Sequence, residues 1–377
     1  MMDMEFFFQS LAEICSRSCV APGRPLRWIV IANPTAGGFT IKARWKEHHR
    51  VLEAHRKKVQ ANPLREAVPS ETAKDFGASP AASALVTTSG PGVASKITRA
   101  FIEEAGKNAG PFYLIITAGG DGTNLEVLSS MYQSPASFLA NAAVLRLPMG
   151  TGNDGADSAE LTGALDLLVK PVHIEFAPAL RLLTAPGGPA QSKGPFLAFN
   201  ILSAGLDAFV THMTNKMKEK FPGDSYKLWV DIAALLYDRL YKVDFLDVRV
   251  LDEQQRELRS FREKVLLMAM GASGHRTYGS HQKILPDDRN VCILRQMPLL
   301  RKVALKKLFS TGTHIDKPES ILFSAHRLEF SGVHPILAQT DGESVLLRKE
   351  DFPAAIELTP PVIPILKIIP HGALSAL

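Results

Sequence analysis

Apolar runs of strand length alternate with helical patterns along the first part of the chain. Four runs, "LRWIVIAN" (26–33), "SALVTT" (83–88), "FYLIITA" (112–118) and "AVLRLP" (143–148), are largely apolar, which is typical of strands buried on both faces. The stretches between them have helical patterns, among them Leu125–Met131. Strands that alternate with helices predict an α/β domain with a parallel sheet and helices on both of its faces.

The pattern changes after about residue 154, where short β-rich runs separated by turn signals dominate. Such runs are typical of a mainly antiparallel domain, here a β-sandwich. We therefore predict an α/β domain over residues 24–155, completed by a C-terminal segment at about 357–377, and a mainly β domain over residues 156–356. Within the second domain, residues 206–241 have a helical pattern.

Composition excludes several classes of protein. The formal net charge of +5 fits anionic partners such as nucleotides or an acidic lipid surface. No strand interleaves aromatic residues with arginine or lysine, so we expect no nucleic acid partner. Three cysteines without a Cys-x-x-Cys pair argue against a disulfide framework and a zinc site. No secretory signal and no apolar stretch of about 18–20 residues is found, so we expect a cytoplasmic protein that contacts a membrane, if at all, from its inner face.

Polar, glycine-containing loops follow the four predicted parallel strands. They are "NPTAGG" (33–38), "TTSGPG" (87–92), "GGDGT" (119–123) and "PMGTGND" (148–154). The carboxyl ends of parallel strands lie at one edge of a sheet, where ligands bind, and glycine lets backbone N–H groups approach an anion. Taken singly, the first two loops are ordinary turn chemistry. Together the four loops predict a pocket for phosphate and nucleotide.

Four ordered motifs resemble a known family. They are Asn33-Pro34-Thr35-Ala36-Gly37, then "GGDGT", then "PMGTGND", and finally "DGE" at residues 341–343. In order and approximate spacing, over about residues 26–343, they are similar to the diacylglycerol kinase catalytic-domain family, which includes bacterial lipid kinases and the sphingosine and ceramide kinases. The resemblance implies a three-layer nucleotide-binding domain like that of NAD kinases and phosphofructokinases. It also implies an ATP-dependent lipid kinase that uses Mg²⁺ and meets its lipid substrate at a membrane surface.

The resemblance also implies which residues of this chain contact the nucleotide. Backbone around the glycines would approach the phosphates, and polar side chains would donate hydrogen bonds to the nucleotide. The positions are Asn33, Pro34, Thr35, Gly37, Thr88, Gly119, Gly120, Asp121, Gly122, Thr123, Glu126, Gly150, Thr151, Asn153 and Asp154.

The catalytic and metal roles are also implied by the resemblance. Glu343 is expected to be the base for the acceptor hydroxyl, with Asp341 as its orienting or metal-linked partner. Asp121 would hold Mg²⁺ and competes with Glu343 for the role of base, since a base needs only a carboxylate within reach. By itself Asp-Gly-Glu is a typical hairpin turn. A second metal site is predicted at Asp288, in "ILPDDRNVCIL", with an exposed turn as an equal alternative.

Two departures from the family pattern keep other functions open. The asparagine that should directly precede the glutamate after "GGDGT" is displaced by one residue to Asn124, although Glu126 keeps its place, and the aspartate loop at Asp288 is shortened. These departures fit a nucleotide-binding regulatory protein without activity. An enzyme resembling NAD kinase or phosphofructokinase is the other alternative, although the Asn-Glu pair expected of an NAD kinase is not found.

The sequence also contains three clusters of basic residues. A solvated helix face is the favoured interpretation of "KARWKEHHR" (42–50). The clusters "NKMKEKFP" (215–222) and "RQMPLLRKVALKK" (295–307) mix apolar residues with cations, which suits either a solvated face or docking on an anionic bilayer. The acceptor lipid is not specified by any motif, and a homodimer stays open.

Overall fold

The computed structural model describes residues 3–61, 84–107, 110–150, 153–218, 237–278 and 282–369. Two compact units share the chain: Met1–Ala177 with Pro361–Leu377, and Pro178–Pro360. The predicted α/β domain followed by a mainly antiparallel β domain is confirmed by the sheets of the two units. No helix of the described ranges is both long and apolar enough to cross a bilayer.

The N-terminal unit is built on a six-stranded sheet of order β2-β1-β3-β4-β19-β5. Neighbouring strands from β2 to β19 run parallel, and β5 pairs antiparallel with β19. Its strands are β1 (Leu26–Ala32), β2 (Ala84–Thr87), β3 (Phe112–Gly119), β4 (Ala142–Pro148), β5 (Val172–Ala177) and β19 (Ile363–Ile368). Its helices are α1 (Met4–Ser16), α2 (Gly37–Thr40), α3 (Lys42–Gln60), α4 (Val93–Ala105), α5 (Asp121–Tyr132), α6 (Ala136–Leu139) and α7 (Leu161–Val169).

The central strands explain the continuous apolar runs. Every residue of β3 and β4 is buried, as expected for parallel strands covered on both faces. The N-terminal helix α1 adds Phe7, Leu11 and Ile14 to the core of this unit. Their spacing of four and three residues places them on one helical face.

The N-terminal unit extends through Ala177, beyond the domain boundary predicted at residue 155. Helix α7 packs Leu161, Leu165 and Leu168 into the core of the first unit, and β5 is the last strand of its sheet. Both elements come after the change in pattern at about residue 154. Strand β5 is antiparallel to its neighbour and only partly buried, as is typical of strands in the second domain. Pattern alone therefore assigned them to the β domain.

The C-terminal unit is a large antiparallel assembly. Its strands lie in the order β17-β16-β8-β10-β9-β15-β18-β6-β7, with β13 and β14 alongside β10, and β11 and β12 form a separate pair. The strands are β6 (Leu180–Leu183), β7 (Phe196–Ala198), β8 (Ile201–Gly205), β9 (Phe245–Leu251), β10 (Glu257–Gly271), β11 (Arg276–Tyr278), β12 (Gln282–Leu285), β13 (Val291–Arg295), β14 (Ser320–Phe323), β15 (Arg327–Ser331), β16 (Ile336–Thr340), β17 (Glu343–Leu347) and β18 (Ala354–Leu358).

Strand β10 connects the two halves of this unit. Its first half pairs with β9, and its second half pairs with β8 and β13. Apolar residues from both halves form one core, for example Val250 of β9, Met268 of β10 and Leu328 of β15. Helices α8 (Leu206–Lys218), α9 (Tyr237–Leu240) and α10 (Leu299–Thr311) belong to the same unit. Residues 219–236 of the helical segment predicted at 206–241 lie outside the described residues.

A buried ion pair joins β4 to the loop that follows it. Arg146 and Asp157 are only 9% and 6% exposed, and their side chains approach to 2.5 Å. The second carboxylate oxygen of Asp157 accepts a hydrogen bond from the backbone N–H of Arg146 at 2.7 Å. Sequence reasoning missed this pair, because no local pattern connects a strand residue with a loop residue eleven positions later.

We expect Asp157→Ala to lower the free energy of unfolding by roughly 3–5 kcal/mol, because the substitution leaves the Arg146 guanidinium buried without its carboxylate partner. Urea unfolding followed by circular dichroism measures the change. The matched control is Glu47→Ala, which removes the exposed Arg50–Glu47 pair, where the side chains are 75% and 55% exposed. That variant should unfold like the wild type, and equal midpoints for all three proteins would contradict a structural role for Asp157.

Candidate active site

Three loops at the carboxyl ends of β1, β3 and β4 touch through their backbones. The N–H of Gly38 donates to the carbonyl oxygen of Met149 at 2.7 Å. A Cβ atom on Gly150 would lie 2.6 Å from the Cα of Gly120, and one on Gly38 would lie 2.9 Å from the Met149 oxygen. Real Cβ contacts are not that short, so this packing requires glycine at both positions. The loops after the three strands therefore form one surface of bare backbone.

Helix α5 begins inside the glycine loop. Gly120 is its extended N-cap and Asp121 its first residue, whereas the sequence predicted a helix only from Leu125. The first-turn N–H groups carry the positive end of the helix dipole and have no partner within the helix. The backbone N–H of Gly155 lies 3.4 Å from a carboxylate oxygen of Asp121. The arrangement suits an anionic phosphate and places a carboxylate beside it.

The displaced asparagine has a structural role. Asn124 is 5% exposed, and its Oδ1 accepts a hydrogen bond from the hydroxyl of buried Thr117 at 2.5 Å. Thr117 lies near the end of β3, and Asn124 lies in the first half of α5. This bond fixes the two ends of the glycine loop relative to each other, so the departure from the family motif maintains the shape of the loop.

Glu126 holds the neighbouring loop. Its two carboxylate oxygens accept hydrogen bonds from the backbone N–H groups of Gly92 at 2.7 Å and Ser95 at 3.2 Å. Gly92 is the N-cap of α4, and its φ of 77° is favourable only for glycine. The carboxylate thus satisfies N–H groups that a helix start leaves unpaired. In this structure Glu126 supports the loop after β2.

The loop after β1 is closed by its own side chains. The Oδ1 of Asn33 accepts hydrogen bonds from the N–H and the hydroxyl of Thr35, at 3.0 and 2.8 Å. Pro34 between them is half-buried and Gly37 is buried. At the end of β2, Thr88 is also buried, and its N–H donates to Ala32 at 2.8 Å. These predicted nucleotide contacts lie at the same edge of the sheet as the glycine loop.

The loop after β4 contains a buried polar atom that has no hydrogen-bond partner among the described residues. Asn153 has a φ of 59° and donates from its amide nitrogen to the carbonyl oxygen of Pro148 at 3.1 Å. Its Oδ1 is buried, and no described residue donates to it. Thr151, a predicted nucleotide contact, lies outside the described residues together with Gly152. Asp154 follows Asn153 and is half-buried.

Helix α3 contributes two residues that the sequence assigned to a solvated face. Arg44 donates to the carbonyl oxygen of Gly150 at 2.9 Å, and His48 packs against Gly38. Burial lowers the pKa of His48, against an opposing hydrogen bond with the backbone of Gly38. The favoured interpretation of "KARWKEHHR" was therefore wrong for these two side chains. Their spacing of four residues was the available signal, since it places both on one face of a helix.

The "DGE" motif forms a tight turn in the C-terminal unit. Asp341 and Gly342, with φ values of 46° and 104°, connect β16 to β17, and Thr340 pairs with Glu343 across the turn. The carboxylate of Asp341 accepts hydrogen bonds from three consecutive backbone N–H groups, residues 199–201, at 2.5, 3.1 and 2.9 Å. Glu343 is exposed at the start of β17. The turn therefore uses one carboxylate as an anchor and presents the other to solvent.

Gln339 supports this turn from inside and was not found from the sequence. It is fully buried. Its Oε1 accepts from the N–H of Gly342 at 2.9 Å and from the hydroxyl of Tyr278 at 3.1 Å. Its Nε2 donates to Ser203 at 3.0 Å and to Asp207 at 3.3 Å. All four hydrogen-bonding positions of the amide are thus occupied, which fixes the start of the turn. No sequence pattern distinguishes this glutamine from any other residue in a short strand.

Comparison with known proteins identifies the family. The profile described as "Diacylglycerol kinase catalytic domain" matches residues 27–175, which contain β1 to β5 and the loops described above. This part of the chain is similar to the catalytic domain of the diacylglycerol kinase family. The predicted family is therefore confirmed, and the domain is that of a kinase.

Two curated relatives are similar to the chain in sequence, and a solved structure is similar to it in fold. The chain is 27% identical over 260 residues to "Probable lipid kinase YegS" of Salmonella arizonae. The matched region covers 67% of this chain and 80% of the relative. The chain is 26% identical over 276 residues to the protein of the same name from Shigella flexneri, with 71% and 84% covered. A crystal structure from Bacillus anthracis described as a "putative diacylglycerol kinase" shares the fold with a TM-score of 0.55 at 16% identity, covering 94% of this chain and 98% of that one.

Among the described residues, Asp121 and Asp288 are not part of a complete set of metal ligands. Across the described part of the chain, no three histidine, cysteine, aspartate or glutamate side chains come together to hold an ion. Asp288 is fully exposed and lies 3.0 Å from the Nε2 of His275. The neighbouring Asp287 is paired with Arg289, which lowers the pKa of that carboxyl. Asp121 is the first residue of α5, and its carboxylate has the hard oxygen atoms that Mg²⁺ prefers as ligands.

We expect Glu126→Ala to lower the free energy of unfolding of the kinase by about 1 kcal/mol, because two N–H groups at the start of α4 lose their acceptor. Glu126→Gln keeps one acceptor oxygen and should lose less. Thermal unfolding followed by circular dichroism measures both. The control is Glu103→Ala, an exposed position on α4, and a Glu126→Ala protein as stable as this control would contradict the capping role.

Proposed function

We propose that the chain is an ATP-dependent lipid kinase that transfers the γ-phosphoryl group to a hydroxyl of a diacylglycerol-like lipid. The single observation that supports this most is the contact of three backbone loops around the N-terminus of α5, inside the matched kinase domain. The acceptor class is taken from the relatives, which are named as probable lipid kinases.

Each part of the nucleotide site then has a chemical task. The first-turn amides of α5 and the loop backbone around Gly38 face the phosphates, where no side chain keeps an anion away. The carboxylate of Asp121 would hold Mg²⁺, which neutralises phosphate charge when bound. The buried acceptor of Asn153 lacks a donor among the described residues, which fits a polar group of the nucleotide as its partner.

Glu343 is the better candidate for the base. It is exposed, and its carboxylate would accept the proton of the acceptor hydroxyl as the hydroxyl oxygen attacks phosphorus. Asp341 already accepts hydrogen bonds from three backbone N–H groups, so its carboxylate is committed to the turn. We therefore assign Asp341 a positioning role rather than that of a base.

The displaced asparagine is weak support for an inactive protein. Asn124 preserves the glycine loop through Thr117, which is compatible with turnover. An acceptor of this class lies in a bilayer, so the proposed enzyme meets it at the surface of a membrane, and ATP places the reaction on the cytoplasmic side. A homodimer stays a prediction.

We expect purified protein to consume ATP with Mg²⁺ only when a suitable lipid is present. The measurement is ADP formation with micelles containing diacylglycerol, phosphatidylglycerol, ceramide, sphingosine or no lipid. Asp121→Asn should abolish turnover, because the proposed Mg²⁺ site loses its charge. ATP binding without turnover on any of these lipids would favour the regulatory alternative, and turnover with NAD or a sugar phosphate would favour the other enzyme classes.

The two carboxylates of the "DGE" turn should separate in their effects. Glu343→Gln should lower turnover by about 10²–10⁴ through loss of the base and leave stability unchanged, because the side chain is exposed. Asp341→Ala should lower the free energy of unfolding by about 1–3 kcal/mol, because buried N–H groups lose their acceptor. Turnover and urea unfolding of both variants provide the test. A destabilised Glu343→Gln with normal turnover would reverse the assignment.

A further inference from the structure

Helix α10 presents apolar side chains to solvent. Leu299, Leu300 and Val303 are 45%, 84% and 50% exposed, and Leu300 is the most exposed large apolar residue in the described part of the chain. Val303 lies four residues after Leu299 and three after Leu300, so it neighbours both on the helix surface. Isolated exposed leucines are common, but a group of three at one place marks an interaction surface.

The helix is held firmly by its opposite face. Lys302 is almost fully buried and forms an ion pair with Asp238 at 2.6 Å. Further along, Leu308 and Phe309 pack against the core of the C-terminal unit. Arg301 is paired with Glu319 at 2.6 Å. The exposed leucines are therefore displayed by a fixed element of the fold.

The charge of the helix favours an anionic partner. Its thirteen residues, "LLRKVALKKLFST", contain no acidic side chain and two cations, Lys306 and Lys307, besides the paired Arg301 and Lys302. Lys307 is exposed and lies four residues after Val303, on the same face as the leucines. Apolar side chains that enter acyl chains, beside a lysine that reaches the headgroups, are the combination by which interfacial helices bind anionic bilayers.

We propose that the face formed by Leu299, Leu300, Val303 and Lys307 docks the protein on an anionic lipid bilayer, with Leu300 inserted below the headgroups. This proposal rests on the proposed lipid kinase function only for the reason why the protein meets a membrane, because binding itself requires no catalysis. A second copy of the chain is less suitable as a partner, because a two-fold contact would bring the cationic faces of two α10 helices together.

The test is sedimentation of the full-length protein, without ATP, with vesicles of phosphatidylcholine alone or with added phosphatidylserine, whose headgroup has no hydroxyl to phosphorylate. We expect binding to the anionic vesicles. Leu300→Ser should weaken it about tenfold or more, because a leucine no longer leaves water. Lys307→Gln should weaken it about fivefold, with a smaller effect at high salt. Leu258→Ser, at another exposed leucine of the same unit, should bind like the wild type.

Several results would overturn the proposal. They are absence of wild-type binding to the anionic vesicles, equal binding by Leu300→Ser, or equal losses in Leu300→Ser and Leu258→Ser. A wild-type dimer that Leu300→Ser converts to a monomer, measured by light scattering, would assign the face to self-association instead. Turnover of the same variants on detergent-dispersed lipid separates the two proposals, since it requires the kinase site and no bilayer.

Discussion

The close approach of backbone to backbone at the edge of the parallel sheet is the constraint on which the candidate site depends. A Cβ on Gly150 would stand 2.6 Å from the Cα of Gly120, so the loops after β3 and β4 meet only because glycine occupies that position. The hydrogen bond from Gly38 to Met149 brings in the loop after β1. The first turn of α5 lies at this junction, where its amides can face an anion.

In each of the two units, carboxylates perform two different tasks. Glu126, Asp157 and Asp341 accept hydrogen bonds from backbone N–H groups and so hold loops in place. Such bonds to a charged acceptor are stronger than bonds between neutral groups. Asp121 and Glu343 lie at the beginnings of elements, next to the loops that the other carboxylates fix. The motifs of the family thus include residues that shape the backbone and residues to which we assign the chemistry.

In the C-terminal unit, too, some side chains hold the fold in place and others face solvent. Buried Gln339 satisfies the turn that carries Asp341 and Glu343, while α10 turns Lys302 inward and Leu300 outward. The apolar pattern of the strands predicted a β-rich unit, but it did not predict α10. In "PLLRKVALKK" leucines and cations are interleaved, so an apolar stripe facing the core is not apparent.

Sequence alone determined the strands, the order of the two architectures, the glycine loops and the family, because buried strands and glycine turns leave local patterns. It did not determine how each motif residue is used. Asn124 and Glu126 have roles set by Thr117 and by the start of α4, and Arg44 and His48 reach loops remote in the chain. Hydrogen-bond partners and exposure depend on which segments meet in space, and only the tertiary structure specifies those meetings.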